Sequence, residues 1–220
     1  MTSVDMWWWR PRDGRTTNFG DELGPEVVRR LGHTVRRVEP EHAEIVACGS
    51  ILHLVTNPDT IVWGSGIMRT GPTRSGRKNL RPHRAAAVRG RLTAAHLGLD
   101  ATVPLGDPGL LASALWDKPK PKYRLGIVPH YIDNRTWPEA DLVIDVRDPV
   151  DDVIAQIGSC EVIAASSLHG LIVAQSFGIP SIRLHHQRIG GADTKYLDYA
   201  SALAKPLDQT QQTLVEALPL

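Results

Sequence analysis

The chain has two cysteines in 220 residues, no long apolar run and almost no excess of either charge. Cys48 and Cys160 each sit at or beside the end of an apolar segment, and nothing near them has the spacing of a zinc site or a redox motif. They are expected as small buried hydrophobes in a reducing compartment, with no metal bound. No segment approaches the roughly 20 apolar residues that cross a bilayer, and the N-terminus lacks the apolar stretch and cleavage site of a secretory signal. A cytoplasmic protein is expected. With 25 basic against 24 acidic residues the formal charge is +1, and the basic residues are scattered, so nothing electrostatic calls for a nucleic-acid partner. Internal repeats and low-complexity tracts are also missing.

What is present is a 42% share of hydrophobic residues, enough for one large domain or two small ones. Residues 4–9 read as a strand, followed by a polar loop over 10–18. Helical spacing then begins, with Asp21 as N-cap, Leu23, Val27, Val28 and Leu31 on one face, Pro25 in the first turn and Gly32 as the stop. Strands are expected over 45–48, 61–63, 85–88 and 103–105, and helices over 51–55, 92–99 and 110–116. Lys118-Pro119-Lys120-Pro121-Lys122 continues neither element, because its prolines lack donors and its lysines repel. It is taken as a linker, 118–122, between residues 1–117 and 123–220. After it, strands over 125–128, 142–146, 162–165 and 181–184 alternate with helices over 150–157 and 168–177. Two terminal helices, 196–203 and 207–218, are expected to pack across the halves. This alternation predicts an α/β fold, two small Rossmann-like halves with parallel sheets around a cleft.

Ligands of parallel α/β sheets bind at the carboxyl ends of strands. Six segments fall there: Asn18-Phe19-Gly20-Asp21, Trp63-Gly64-Ser65-Gly66, Arg89-Gly90-Arg91, Gly106-Asp107-Pro108, Pro129-His130-Tyr131 and Ser166-Ser167-Leu168-His169-Gly170. In the last, backbone N–H groups at a helix start are joined by two hydroxyls and an imidazole, which suits a phosphate or carboxylate. Gly64-Ser65-Gly66 stops short of a dinucleotide fingerprint, so no such cofactor is expected.

Taken in order, with Lys195-Tyr196-Leu197-Asp198-Tyr199 added, these segments resemble those of the polysaccharide pyruvyl transferase family. The resemblance implies a compact relative of the GT-B glycosyltransferases. It also implies transfer of a pyruvyl group from phosphoenolpyruvate to two hydroxyls of one sugar, giving a cyclic ketal and free phosphate. The acceptor is expected to be a cell-surface polysaccharide or its lipid-linked precursor, met at the inner face of the membrane through peripheral contact. Some relatives carry Arg-Leu-His where this chain has Ser167-Leu168-His169, so either another cation meets the donor's charge or the donor differs. A nucleotide-sugar glycosyltransferase and a non-catalytic carbohydrate-binding relative are the alternatives.

On this reading His169 is the first candidate acid, since it sits at the positive end of a helix dipole and an arriving anion favours its protonated form. His130, in the loop after the first strand of the second half, is the second candidate acid or base. Ser166 and Ser167 are N-cap candidates that can also meet phosphate oxygens, and Gly170 allows close approach. Arg89 offers a planar fork for a carboxylate or phosphate, unless it pairs with an acid such as Asp107. Lys195 reaches the donor from a terminal helix or stays on the surface. Asn18, Asp21, Gly64 and Gly66 are assigned to the acceptor side, with capping and turn geometry as their simpler roles. Of Trp7, Trp8 and Trp9 at least one belongs to the core. Trp9 or Trp137 could stack on a sugar ring, but both are more often packing residues and are left out of the site.

Overall fold

The computed structural model describes residues 3–10, 17–70, 84–186, 189, 192–204 and 206–219, so residues 11–16 of the expected polar loop lie outside them. Two wholly parallel sheets organise the chain. The first joins β1 (Ser3–Met6), β2 (Thr34–Arg37), β3 (Ile45–Val46), β4 (Ile61–Trp63) and β5 (Ala85–Ala87) in the order β2-β1-β3-β4-β5. The second joins β6 (Tyr123–Val128), β7 (Leu142–Val143), β8 (Cys160–Ala165) and β9 (Ser181–Arg183) in the order β7-β6-β8-β9. Helices α1 (Phe19–Arg30), α2 (Arg91–Leu97), α3 (Ala112–Leu115), α4 (Val150–Gly158), α5 (Leu168–Ser176), α6 (Ala192–Ala200) and α7 (Leu207–Glu216) complete the described structure. These are the Rossmann-like halves expected from the alternating pattern.

Inner strands β3, β4, β6 and β8 are apolar on both faces toward their carboxyl ends, as helix-covered parallel sheets require. Ile45, Val46, Val62, Trp63, Ile127, Val128, Ala164 and Ala165 are all buried. One buried cluster runs from Val4 and Met6 through Phe19 and Leu23 of α1 to Val128, Ile163 and Ile172, so both sheets share a core. Between them the Phe19 N–H donates to the Val146 carbonyl at 2.6 Å, and the Trp63 indole donates to the Leu214 carbonyl of α7 at 2.8 Å. Among the described residues no helix is long and apolar enough to cross a membrane.

Several expected boundaries shift for physical reasons. The first strand ends at Met6, and Trp7 to Trp9 form the connection out of it. Asn18, not Asp21, is the N-cap of α1; Asp21 lies inside the first turn and Pro25 beyond it. The helix expected over 51–55 is one 3₁₀ turn, Leu52–Leu54. That over 110–116 is divided into a 3₁₀ turn, Pro108–Leu111, and the short α3, because Asp107 caps the turn and Pro108 opens it. The strand expected over 103–105 reduces to a single bridge between Val88 and Leu105, and the one over 142–146 to its first two residues. Edge strand β2, whose two arginines hide its periodicity, was not expected.

Strand order decides where a ligand can sit. In the first sheet the order reverses between β1 and β3, and in the second between β6 and β8. Chains leave such adjacent strands toward opposite faces, which opens a crevice at their carboxyl ends. The four loops after β1, β3, β6 and β8 therefore define the site.

Candidate active site

A cavity of about 260 Å³ opens among these four loops. Trp9 comes from the β1 loop, Gly49 to Ile51 with His53 and Leu54 from the β3 loop, His130 and Tyr131 from the β6 loop, and Ser167 to His169 from the β8 loop. Asn18 and Asp21 enter from the start of α1, Met68 from the segment after β4, and Lys195 from α6.

His169 is the second residue of α5, whose first-turn N–H groups have no intrahelical acceptor. Its Nε2 stands 3.4 Å from Oδ2 of Asp107, without the alignment of a hydrogen bond. Asp107 is fully buried. Its other oxygen accepts from the Gly109 N–H at 2.9 Å and from the Cys48 thiol at 3.4 Å. Burial pushes the Asp107 carboxyl up, but His169, the Gly109 N–H and Arg89 together hold it below the ordinary range. The Cys48 thiol is driven far up by burial and by Asp107, so it serves as a donor rather than a thiolate. Among the described residues, Cys48, Asp107 and His169 are the grouping with metal-ligand atoms, all within 4.8 Å of one another. On the far side of the imidazole stands Gly20 of α1, where any Cβ would run into His169 Nδ1.

Asp21 faces the same cavity. Burial raises its carboxyl to about 6, partly offset by a 2.5 Å hydrogen bond from Asn18 Nδ2 and by nearby His169. Lys195 is buried rather than on the surface, and burial with Arg89 nearby lowers its ammonium to about 8, against the pull of Asp21. His130 is lowered to about 3 by burial, then by Lys195 and His186. Its Nδ1 accepts from the Ile132 N–H at 3.4 Å, which leaves the proton on Nε2. At neutral pH His130 is thus an uncharged donor, which disfavours the acid half of the acid-or-base role expected of it.

The two serines divide their work. Ser166 is fully buried; its hydroxyl donates to Asp133 at 2.6 Å and accepts from the His130 N–H at 2.9 Å, tying the β6 and β8 loops together. Asp133 is held well below the usual carboxylate range, first by its bonds to Arg135. Ser167 occupies the N-cap position of α5 but makes no side-chain capping bond, and it lines the cavity.

Five expected site residues lie outside the cavity lining: Ser166, Arg89, Gly64, Gly66 and Gly170. Arg89 is fully buried and paired with Asp198 rather than Asp107: Nε donates to Asp198 Oδ2 at 3.0 Å, one terminal nitrogen to Ser50 at 2.6 Å, the other to the Ile67 carbonyl at 2.7 Å. Asp198 in turn accepts from the Thr93 N–H and hydroxyl. Arg89 therefore anchors α6, one turn from Lys195. Gly64 has φ +88° and packs on Pro108, while Gly66 leaves room for the Arg89 guanidinium. Gly170 lets α5 approach Val128 of β6, where a Cβ would come within 2.8 Å. In these positions the glycines act through packing. Sequence reasoning missed Asp107 as the partner of His169, although its Gly-Asp-Pro segment was visible, and it left out Trp9, which lines the cavity.

Comparison with known proteins gives the family of the chain. The model of the polysaccharide pyruvyl transferase family matches residues 18–187, and the chain belongs to that family. It is 33% identical over 187 residues to the succinoglycan biosynthesis protein ExoV of Rhizobium meliloti (strain 1021), covering 79% of this chain and 57% of that protein. It is also 33% identical over 174 residues to the uncharacterized protein L143 of Acanthamoeba polyphaga mimivirus, covering 70% and 58%. The aligned region is thus somewhat under three fifths of either relative's length.

Proposed function

We propose that the protein transfers a pyruvyl group from phosphoenolpyruvate to two hydroxyls of one sugar in a polysaccharide or its lipid-linked precursor, forming a cyclic ketal and releasing phosphate. One observation carries this reading: His169 backed by Asp107, Asp21 with a carboxyl near 6 and the buried cation Lys195 converge on one cavity, in a chain of this family. With Arg89 internally paired and His130 uncharged, Lys195 is the cation that compensates for serine at position 167. The donor's anionic groups lie against Lys195, the Ser167 hydroxyl and the first turn of α5.

His169 delivers a proton to the methylene carbon of the donor. The carbon–carbon double bond supplies the electron pair for that bond and leaves C2 electron-poor. A sugar hydroxyl attacks C2 and gives its proton to Asp21, a base suited to neutral pH. The bond from C2 to the phosphate oxygen then breaks, with its electron pair leaving on phosphate. The second hydroxyl attacks C2, its proton returns to His169, and the proton on Asp21 passes to phosphate. Orientation and charge stabilisation, rather than a covalent enzyme intermediate, lower the barrier. A lipid-linked acceptor brings the protein to the inner face of the membrane as a peripheral visitor.

The test is incubation with phosphoenolpyruvate and a panel of oligosaccharide and lipid-linked acceptors, following phosphate and the ketal methyl signal. One phosphate per ketal, dependent on acceptor, is expected. Turnover of a nucleotide sugar without consumption of phosphoenolpyruvate would sink the proposal.

A further inference from the structure

Trp7, Trp8 and Trp9 part after β1. Trp7 enters the apolar cluster with Val62 and Val88, and Trp8 enters the larger cluster shared by both sheets. Trp9, half-buried against the cluster that holds Trp7, also lines the cavity. There it stacks on Tyr131 with ring centroids 6.1 Å apart and planes 28° from parallel. Tyr131 also lies against the His130 ring, with centroids 4.5 Å apart, and its carbonyl accepts from Arg147 at 2.6 Å. Leu54 and Met68 also line the cavity. Aromatic and apolar groups therefore share one cavity with Asp21, Lys195 and His169. Trp9, Tyr131 and Asp21 all line this cavity, where burial and then the charge of Asp21 raise the Tyr131 phenol.

The geometry points to Trp9 and Tyr131 as the platform on which one pyranose ring of the acceptor lies, its C–H face on the aromatic rings and its hydroxyls turned toward Asp21 and His169. This rests on the pyruvyl-transfer reading, because that reaction needs a sugar beside the donor with two hydroxyls presented together. The chemistry fits a pyranose specifically. Its C–H face needs an aromatic surface, and its hydroxyls need the hydrogen-bonding groups that line the same cavity.

Saturation-transfer NMR tests the platform without any turnover, using lactose and cellobiose as probes and uridine diphosphate as the competing class. Transfer to the C–H protons of one pyranose ring is expected, reduced roughly tenfold in Trp9→Ala and Tyr131→Ala and recovered in Trp9→Phe. Thermal melting confirms that each variant is folded. The proposal is overturned if neither sugar receives saturation, if transfer is the same in both alanine variants, or if Trp9-dependent transfer goes to uracil protons alone. Its failure is separable from that of the catalytic reading. Ketal formation with an acceptor KM unmoved by Trp9→Ala removes the platform alone, whereas Trp9-dependent sugar binding without phosphate release removes the pyruvyl transfer alone.

Discussion

Asp107 and His169 meet across the two sheets, with Oδ2 and Nε2 3.4 Å apart in a region that water scarcely reaches. An imidazole that gives up a proton and takes one back needs a fixed ring and a nearby negative charge. Asp107 supplies both while its second oxygen is tied to Gly109 and Cys48. Asp107→Asn keeps an oxygen for the Gly109 cap and removes the charge. Turnover is expected to fall roughly 10²-fold with the KM for phosphoenolpyruvate little changed. Equal loss of affinity and turnover in steady-state kinetics would assign Asp107 a merely structural part.

The pH profile follows from two neighbours with opposite needs. Asp21, raised to about 6, must be deprotonated to act as base, so kcat/KM is expected to rise as pH climbs through 6. Lys195, lowered to about 8, must be protonated to hold the donor, so kcat/KM falls as pH passes 8. The result is a bell, and Asp21→Asn should remove its acidic limb together with most of the activity.

Lys195→Met should raise the KM for phosphoenolpyruvate at least tenfold, because it deletes the charge that serine at position 167 does not supply. Lys195→Arg should recover part of the affinity. An unchanged KM in the methionine variant would show that the donor binds elsewhere.

Arg89 carries a different expectation. It is fully buried with Asp198, and removing one member leaves the other charge stranded. Arg89→Met is expected to cost roughly 3–5 kcal/mol of stability in denaturant unfolding. Lysine should not rescue it, since it cannot reach Asp198, Ser50 and the Ile67 carbonyl with one ammonium.

The contrast between Arg89 and His169 shows what sequence can convey. Strands β6 and β8 and helix α5 were legible because their apolar patterns are local. So was the placing of His169, since a histidine after a buried strand and a serine pair must fall in a helix's opening turn. The partners were not legible. Arg89 and Asp198 are 109 positions apart, and no spacing rule links an arginine after one strand to an aspartate on a late helix. Trp9 reads from sequence as a packing ring more readily than as a sugar-stacking one, because its direction depends on the strand ending at Met6, a boundary set by neighbouring strands rather than by the tryptophans.

Gly20 offers the sharpest separation of stability from chemistry. It lies in the first turn of α1, where exchange of glycine for alanine favours the helix, by at most about 1 kcal/mol. A Cβ there would nevertheless collide with the ring of His169 and push the imidazole out toward the cavity, the route left open to it with Asp107 behind. Gly20→Ala is therefore expected to melt within a few degrees of the parent while losing turnover by roughly two orders of magnitude, the cost of misplacing a general acid. Parallel loss of melting temperature and activity would mean that the collision is relieved by moving α1, and that Gly20 serves packing alone.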